Sequence, residues 1–253
     1  MIEMDTIMLI GTAGSGKSSL TYTLSRWLEE NDKSTGILNL DPGVRWLPYP
    51  PDIDIRDYIN LDQIMMHYEL GPNGALIAAV DMMINHIKDI REEIKSLDCE
   101  YLLIDTPGQM ELFAFRRVGP QVISKISEEN MIILFLIDAM FTQKPSDFAS
   151  ALLLATSVQY RFLKPQINII SKADLLSQNL KEKIEEWIED PETLKMEIIS
   201  SEDTLQSEIS QRIVDVISEE MFAEIVFTSS ITGEGGDALL GRIERILGKT
   251  IIE

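Results

Sequence analysis

Residues Gly11-Thr12-Ala13-Gly14-Ser15-Gly16-Lys17-Ser18 make a complete G-x-x-x-x-G-K-S segment, preceded by the apolar run Ile7-Met8-Leu9-Ile10 and followed by the helical pattern Ser19-Leu20-Thr21-Tyr22-Thr23-Leu24. Nothing else in the chain constrains its folding so tightly, because strand, glycine loop and helix must follow in that order for the motif to work. The glycines let successive backbone N–H groups converge on an anion, at a helix N-terminus whose dipole also favours negative charge. Gly11, Gly14, Ser15, Gly16, Lys17, Ser18 and Ser19 are thus the candidate phosphate-binding residues. Lys17 would reach the β- and γ-phosphates, and the Ser18 hydroxyl would hold Mg²⁺. The segment predicts binding of a nucleoside triphosphate.

Further short apolar runs recur with helical patterns between them. They predict strands at about Thr6–Ile10, Gly36–Leu40, Tyr101–Ile104, Met131–Ile137, Gln166–Ile170 and Ile225–Thr228. Their near-continuous hydrophobicity is that of parallel strands covered on both faces. The expected fold is therefore α/β, a doubly wound, mostly parallel sheet in three layers (α/β/α), with ligands at the carboxyl ends of the strands. At 253 residues the chain suits a single phosphate-loop domain over 1–253 with helical insertions. One insertion, at about 42–100, has a proline-rich start (Pro42, Pro48, Pro50, Pro51) and helical patterns at about Leu61–Leu70 and Ala75–Leu97, broken by the turn Gly71-Pro72-Asn73-Gly74. The other, at about 175–222, is acidic, with helical patterns that include Leu180–Ile188 and Ser207–Met221 and read as solvated faces with room for a docking partner.

Charge narrows the partners. A net charge of -20 repels phosphate backbones and anionic lipid, so neither nucleic acid nor a membrane is expected as a partner, whereas a basic protein surface is compatible with it. Cys99 is the single cysteine, which excludes an intrachain disulfide and suits a reducing compartment. The N-terminal Met1-Ile2-Glu3-Met4-Asp5 has no basic stretch of a secretion signal, and no apolar run reaches membrane-spanning length, so a cytoplasmic protein is expected. His67 and His86 sit apart in helical patterns and read as exposed or core-edge residues; Met65-Met66 and Met82-Met83 read as packing.

Several polar residues follow the strand-like runs. In Asp105-Thr106-Pro107-Gly108-Gln109, Asp105 would join Ser18 at Mg²⁺, the Gly108 N–H would meet the γ-phosphate, and Gln109 would orient an attacking water. Ser171-Lys172-Ala173-Asp174 resembles the Asn-Lys-x-Asp guanine-reading segment with Ser in place of Asn. Asp174 would accept from guanine N1–H and the 2-amino group, and the Lys172 stem would lie against the purine. A helix N-cap before Leu175-Leu176 is the competing reading of Asp174. In Thr228-Ser229-Ser230-Ile231-Thr232-Gly233, the backbone at Ser230 and Ile231 suits guanine O6. Asp41, after the second run, faces the same phosphate site and would position water, although an Asp-Pro turn accounts for it equally.

Phosphate loop, the Gly71-Pro72-Asn73 turn, Asp-Thr-Pro-Gly-Gln and Ser-Lys-Ala-Asp, in this order from Ile7 to Gly236, resemble the GPN-loop GTPases, dimeric relatives of the signal-recognition GTPases. The resemblance implies Mg²⁺-dependent hydrolysis of GTP to GDP in a homodimer formed through the Gly-Pro-Asn region. Asn73 would then act at the γ-phosphate of the other subunit, with Asp41, Gln109 and Glu111 completing the water-positioning set and a protein client or assembly partner reading the switch. Thr12 stands where related dimeric ATPases carry an extra Lys, which leaves a charge-stabilising role for a group from elsewhere. Two alternatives remain at this level. A small-molecule kinase would need an Arg-rich lid, whereas the 175–222 segment holds only Arg212. An assembly scaffold would hydrolyse slowly and use the nucleotide to time partner exchange.

Overall fold

The computed structural model describes residues 4–127, 130–201, 204–217 and 224–248. Seven strands form one sheet: β1 Asp5–Gly11, β2 Thr35–Asn39, β3 Ile53–Asp54, β4 Tyr101–Asp105, β5 Met131–Asp138, β6 Gln166–Ser171 and β7 Ile225–Phe227. Every pairing is parallel, in the order β3-β2-β4-β1-β5-β6-β7, so β1 lies centrally between β4 and β5. The doubly wound parallel sheet expected from the apolar runs is the sheet observed. Side chains alternate across it. Met8 and Ile10 enter one core cluster, Ile7 and Leu9 the other, and all four are fully buried.

On the second face lie α1 (Lys17–Glu30), which buries Leu20, Leu24 and Leu28 at four-residue spacing, and a C-terminal helix, Gly236–Leu247, which buries Leu239, Leu240 and Ile243. The first face is covered by α3 (Pro72–Ser96), α5 (Val118–Ile126) and α6 (Pro145–Phe162). Helix α3 follows the shorter α2 (Leu61–His67) and presents Ala79, Val80, Met83, Ile87, Ile90 and Ile94 to the sheet, so the 42–100 segment is part of the core. It also supplies the edge strand β3, whose two residues carry no readable period.

Two expectations about the insertions change. The Gly-Pro-Asn segment does not interrupt the helical pattern until Ala75. Gly71 is the N-cap of α3 and Pro72 its first residue, where a missing N–H costs nothing, so Asn73 stands exposed in the first helical turn. The acidic segment, in turn, is more than solvated faces. It forms α7 (Gln178–Glu189), α8 (Pro191–Ser201) and α9 (Thr204–Val216). Trp187, Leu194, Ile198 and Val214 are buried in the first cluster, with Trp187 stacked on Phe148 of α6 at a ring separation of 5.8 Å. Residues 218–222 of that segment, including Met221, lie outside the described residues. Cys99 is buried, His67 exposed, and His86 half-buried against the Tyr58 ring. Among the described residues no helix is long and apolar enough to cross a membrane.

Candidate nucleotide site

Most of the polar residues singled out in the sequence collect at one edge of the sheet, because they end or follow parallel strands. The loop after β1 turns through Gly14 (φ 78°) and Gly16 (φ 90°), left-handed positions where a side chain is strained, and then enters α1 at Lys17. Gly14, Gly16, Lys17, Ser18, Ser19, Asp41, Thr106 and Gly108 line a cavity of about 300 Å³. Gly11 and Ser15 are buried beneath it, and the Ser15 hydroxyl has no hydrogen-bond partner. Lys17 Nζ donates to the loop carbonyls of Gly11 and Thr12, both at 3.0 Å. Burial pushes its ammonium below the usual value, while the charges of Asp105, Asp41 and Glu111 pull the other way. Glu111 itself is exposed, in the first turn of α4 (Met110–Ala114).

Asp105 ends β4 and is 1% exposed. Its Oδ2 accepts the Tyr49 hydroxyl at 2.6 Å, while its buried Oδ1 has no hydrogen-bond partner. Burial raises the carboxyl above the ordinary range, opposed by the hydroxyls of Ser18 and Tyr49 and the Lys17 ammonium. Burial, joined by the Asp105 charge and hydrogen bond, also drives the Tyr49 phenol upward, so that it stays a donor. A buried carboxyl oxygen without a donor, next to a hydroxyl, is the donor set of a hard cation such as Mg²⁺. Ser18 and Asp105 therefore fit that ion.

Asp41 makes the turn weighed for it and also bridges to the Gly108 loop. Its Oδ1 accepts from Gly43 N–H at 2.8 Å, which is the Asp-Pro turn, and its Oδ2 accepts from Gly108 N–H at 3.0 Å. Asn39 holds the turn from below, donating to the Asp41 carbonyl and to Asp54, while Arg56 grips Asp54 and reaches the Val44 carbonyl. On the far side of Asp41 and Gly108 opens a second cavity of about 750 Å³, lined among others by Gln109, Arg45, Pro72 and Asn73. Asn73 thus borders the same cavity as Asp41 and Gln109 of its own chain.

The other end of the site is built from β6 and β7. Ser171 donates its hydroxyl to the Ser15 carbonyl at 2.7 Å, so the Ser in place of Asn still ties β6 to the phosphate loop. Lys172 sits at φ 58°, a strained position, with Nζ paired to Asp138 at 2.6 Å. Asp174 lies within a short 3-10 turn, Ala173–Leu175, rather than at its cap, and accepts the Ser229 hydroxyl at 2.5 Å. Ser229 Oγ also accepts from the N–H groups of Ile231 and Thr232, so the Ile231 N–H predicted to face a base is engaged within its own turn.

Three residues of this edge escaped the sequence. Asp138 ends β5 just as Asp105 ends β4, and the same strand-end rule would have found it. Ser229 lay inside a segment read for its neighbours. Tyr49 carried no signal, being one aromatic residue among prolines.

A family model described as a conserved hypothetical ATP-binding protein matches residues 9–249. The GPN-loop GTPase PAB0955 of Pyrococcus abyssi is 31% identical over 92% of this chain and 93% of its own length. The chain belongs to the GPN-loop GTPase family. GPN-loop GTPase 3 of Saccharomyces cerevisiae is 34% identical over 76% of this chain and 72% of its own. The crystal structure of PAB0955, titled a GTPase in apo form, superposes with a TM-score of 0.86 at 29% identity, covering 96% of this chain and 98% of that one. The family model's description and the relatives' names differ on the base.

Proposed function

We propose that the protein binds GTP with Mg²⁺ and hydrolyses it to GDP and phosphate, working as a homodimeric switch. The observation that carries this reading is the 300 Å³ cavity where the phosphate loop, Asp41 and Gly108 meet. Lys17 exchanges the carbonyls of Gly11 and Thr12 for β- and γ-phosphate oxygens, to which its charge-assisted hydrogen bonds are stronger. A γ-phosphate oxygen takes the Gly108 N–H from Asp41. The released Oδ2 then accepts from the attacking water, which Gln109 helps to orient in line with the scissile bond. Ser18 and Asp105 are the residues that would hold Mg²⁺, whose positive charge would offset that of the phosphates. Asp174 reads the guanine edge, and Lys172, braced by Asp138, covers its face.

The Gly-Pro-Asn loop completes the catalytic end. Thr12 brings no charge to the phosphates, and Asn73, exposed at the start of a long rigid helix, is suited to reach the γ-phosphate of a second subunit. Loss of the γ-phosphate returns Gly108 to Asp41, and this exchange couples nucleotide state to the Gln109 segment that a client protein would read. Turnover of GTP and ATP by the purified protein with Mg²⁺ tests the assignment. We expect kcat/KM for ATP to be lower by about 10²-fold or more, since adenine lacks the N1–H and 2-amino donors that Asp174 would accept. Equal use of the two nucleotides overturns it.

A further inference from the structure

We propose that Tyr49 is a positioning residue for Asp105, its hydroxyl holding Oδ2 so that the unpartnered Oδ1 is the oxygen left for a divalent cation shared with Ser18. This rests on the reading of Ser18 and Asp105 as the Mg²⁺-binding pair. A carboxylate at the end of a strand can rotate about its last bond and present either oxygen. Here the choice is removed. Tyr49 Oη lies 2.6 Å from Oδ2, and the two residues are 4% and 1% exposed, so no water competes for the contact. Lys17, the nearby cation, directs its ammonium to Gly11 and Thr12 carbonyls.

The tyrosine is itself held firmly. Its ring belongs to the buried cluster that contains Ile37 and Leu103. Its loop is anchored before and after it, by Arg56 to the Val44 carbonyl at 3.2 Å and by the Ile37 N–H to Asp52 at 2.7 Å. The same loop begins at Asp41, which joins Gly108. A neutral donor on the outer oxygen orients the ligand without neutralising it, which is how groups behind a metal ligand tune affinity.

Release of a fluorescent GDP analogue from the full chain, titrated with Mg²⁺, tests the proposal. Mg²⁺ slows release where Ser18 and Asp105 engage it. In Tyr49→Phe the ring and its packing remain, and we expect the half-saturating Mg²⁺ concentration to rise about tenfold, with release in EDTA unchanged. In an Asp105→Ala background the same substitution is expected to shift nothing, because its target is gone. An unchanged half-saturation in Tyr49→Phe, or a shift that persists without Asp105, overturns the proposal. Wild-type protein that binds GDP with no response to Mg²⁺ overturns the metal reading beneath it, a distinct result. The half-saturation is read only on folded, GDP-bound protein, so a lowered melting temperature does not imitate it.

Discussion

The two cavities that share Asp41 and Gly108 are built to different standards. Around the phosphate loop the groups are buried and already joined: Lys17 to loop carbonyls, Asp105 to Tyr49, Ser171 to Ser15. Around the larger cavity, Asn73 and Arg45 are exposed and the walls stand apart by a volume of about 750 Å³. On the proposed function, the binding groups are largely preorganised within one chain, while hydrolysis would depend on groups still to be brought together. The contrast is open to test from the preorganised side first. Lys17→Ala removes the cation on which the phosphate cavity centres, and GTP turnover should fall by about 10³-fold in a phosphate-release assay. A loss below tenfold would mean the buried network is structural and the catalytic charge comes from elsewhere.

Asn73 tests the open side. Asn73→Ala should lower turnover by about 10²-fold and leave GDP affinity, measured by calorimetry, unchanged. Mixing that variant with Lys17→Ala decides which chain the residue serves. If Asn73 acts across a dimer, mixed dimers hold one complete site, and activity returns to about a quarter of wild type after random exchange. If it acts on the cavity it lines in its own chain, no combination is complete and activity stays at the level of the variants.

At the base end, Asp174→Asn replaces the acceptor held by Ser229 with a group that also donates. Affinity for GTP should fall by about 10²-fold, and xanthosine triphosphate, which offers a carbonyl where guanine has its amino group, should gain. Competition binding with the two nucleotides reads both changes. An unaltered preference would assign Asp174 a purely structural role.

Asp105 yields a stability effect with a definite sign. Its folded carboxyl is raised above the unfolded value by burial, so folding favours the protonated form. That contribution is complete below the ordinary carboxylate range and is lost as pH rises through the folded value. Asp105→Asn cannot ionise. Melted without nucleotide, it should exceed wild type at pH 8 by about 1–3 kcal/mol, or roughly 2–4 °C for each kcal/mol, and the gap should close as pH falls toward 4. A gap that is independent of pH would contradict the buried-charge account.

What could be read in the sequence follows the same division. Asp41, Asp105 and Asp174 were legible because each follows an apolar run, and parallel strands deliver their terminal residues to one edge. Tyr49 was not, since its role arises from a contact 56 residues away and its loop has no period. The start of α3 was misplaced because Gly-Pro reads as a breaker, although the same pair begins a helix when proline falls at its first position. The buried face of the acidic segment was hidden by its distribution. Trp187, Leu194, Ile198 and Val214 come from three helices, and only their packing against α6 assembles a stripe.

The smallest effect probes the link between the two regions. Arg116, after α4, forms a two-pronged pair with Asp81 on α3, its Nε 3.0 Å from Oδ1, and so joins the helix that carries Asn73 to the segment that carries Gln109. The side chains are 38% and 40% exposed, so solvent screens the pair, and Asp81→Ala should cost no more than about 1 kcal/mol in melting experiments. Were the pair only a surface contact, GTP turnover would change by less than about twofold, in keeping with that energy. A larger fall in kcat at unchanged stability and GDP affinity would show that α3 and the Gln109 segment move as one body. The open cavity would then close by a rigid displacement of that body toward the phosphates, rather than by separate adjustment of Asn73 and Gln109.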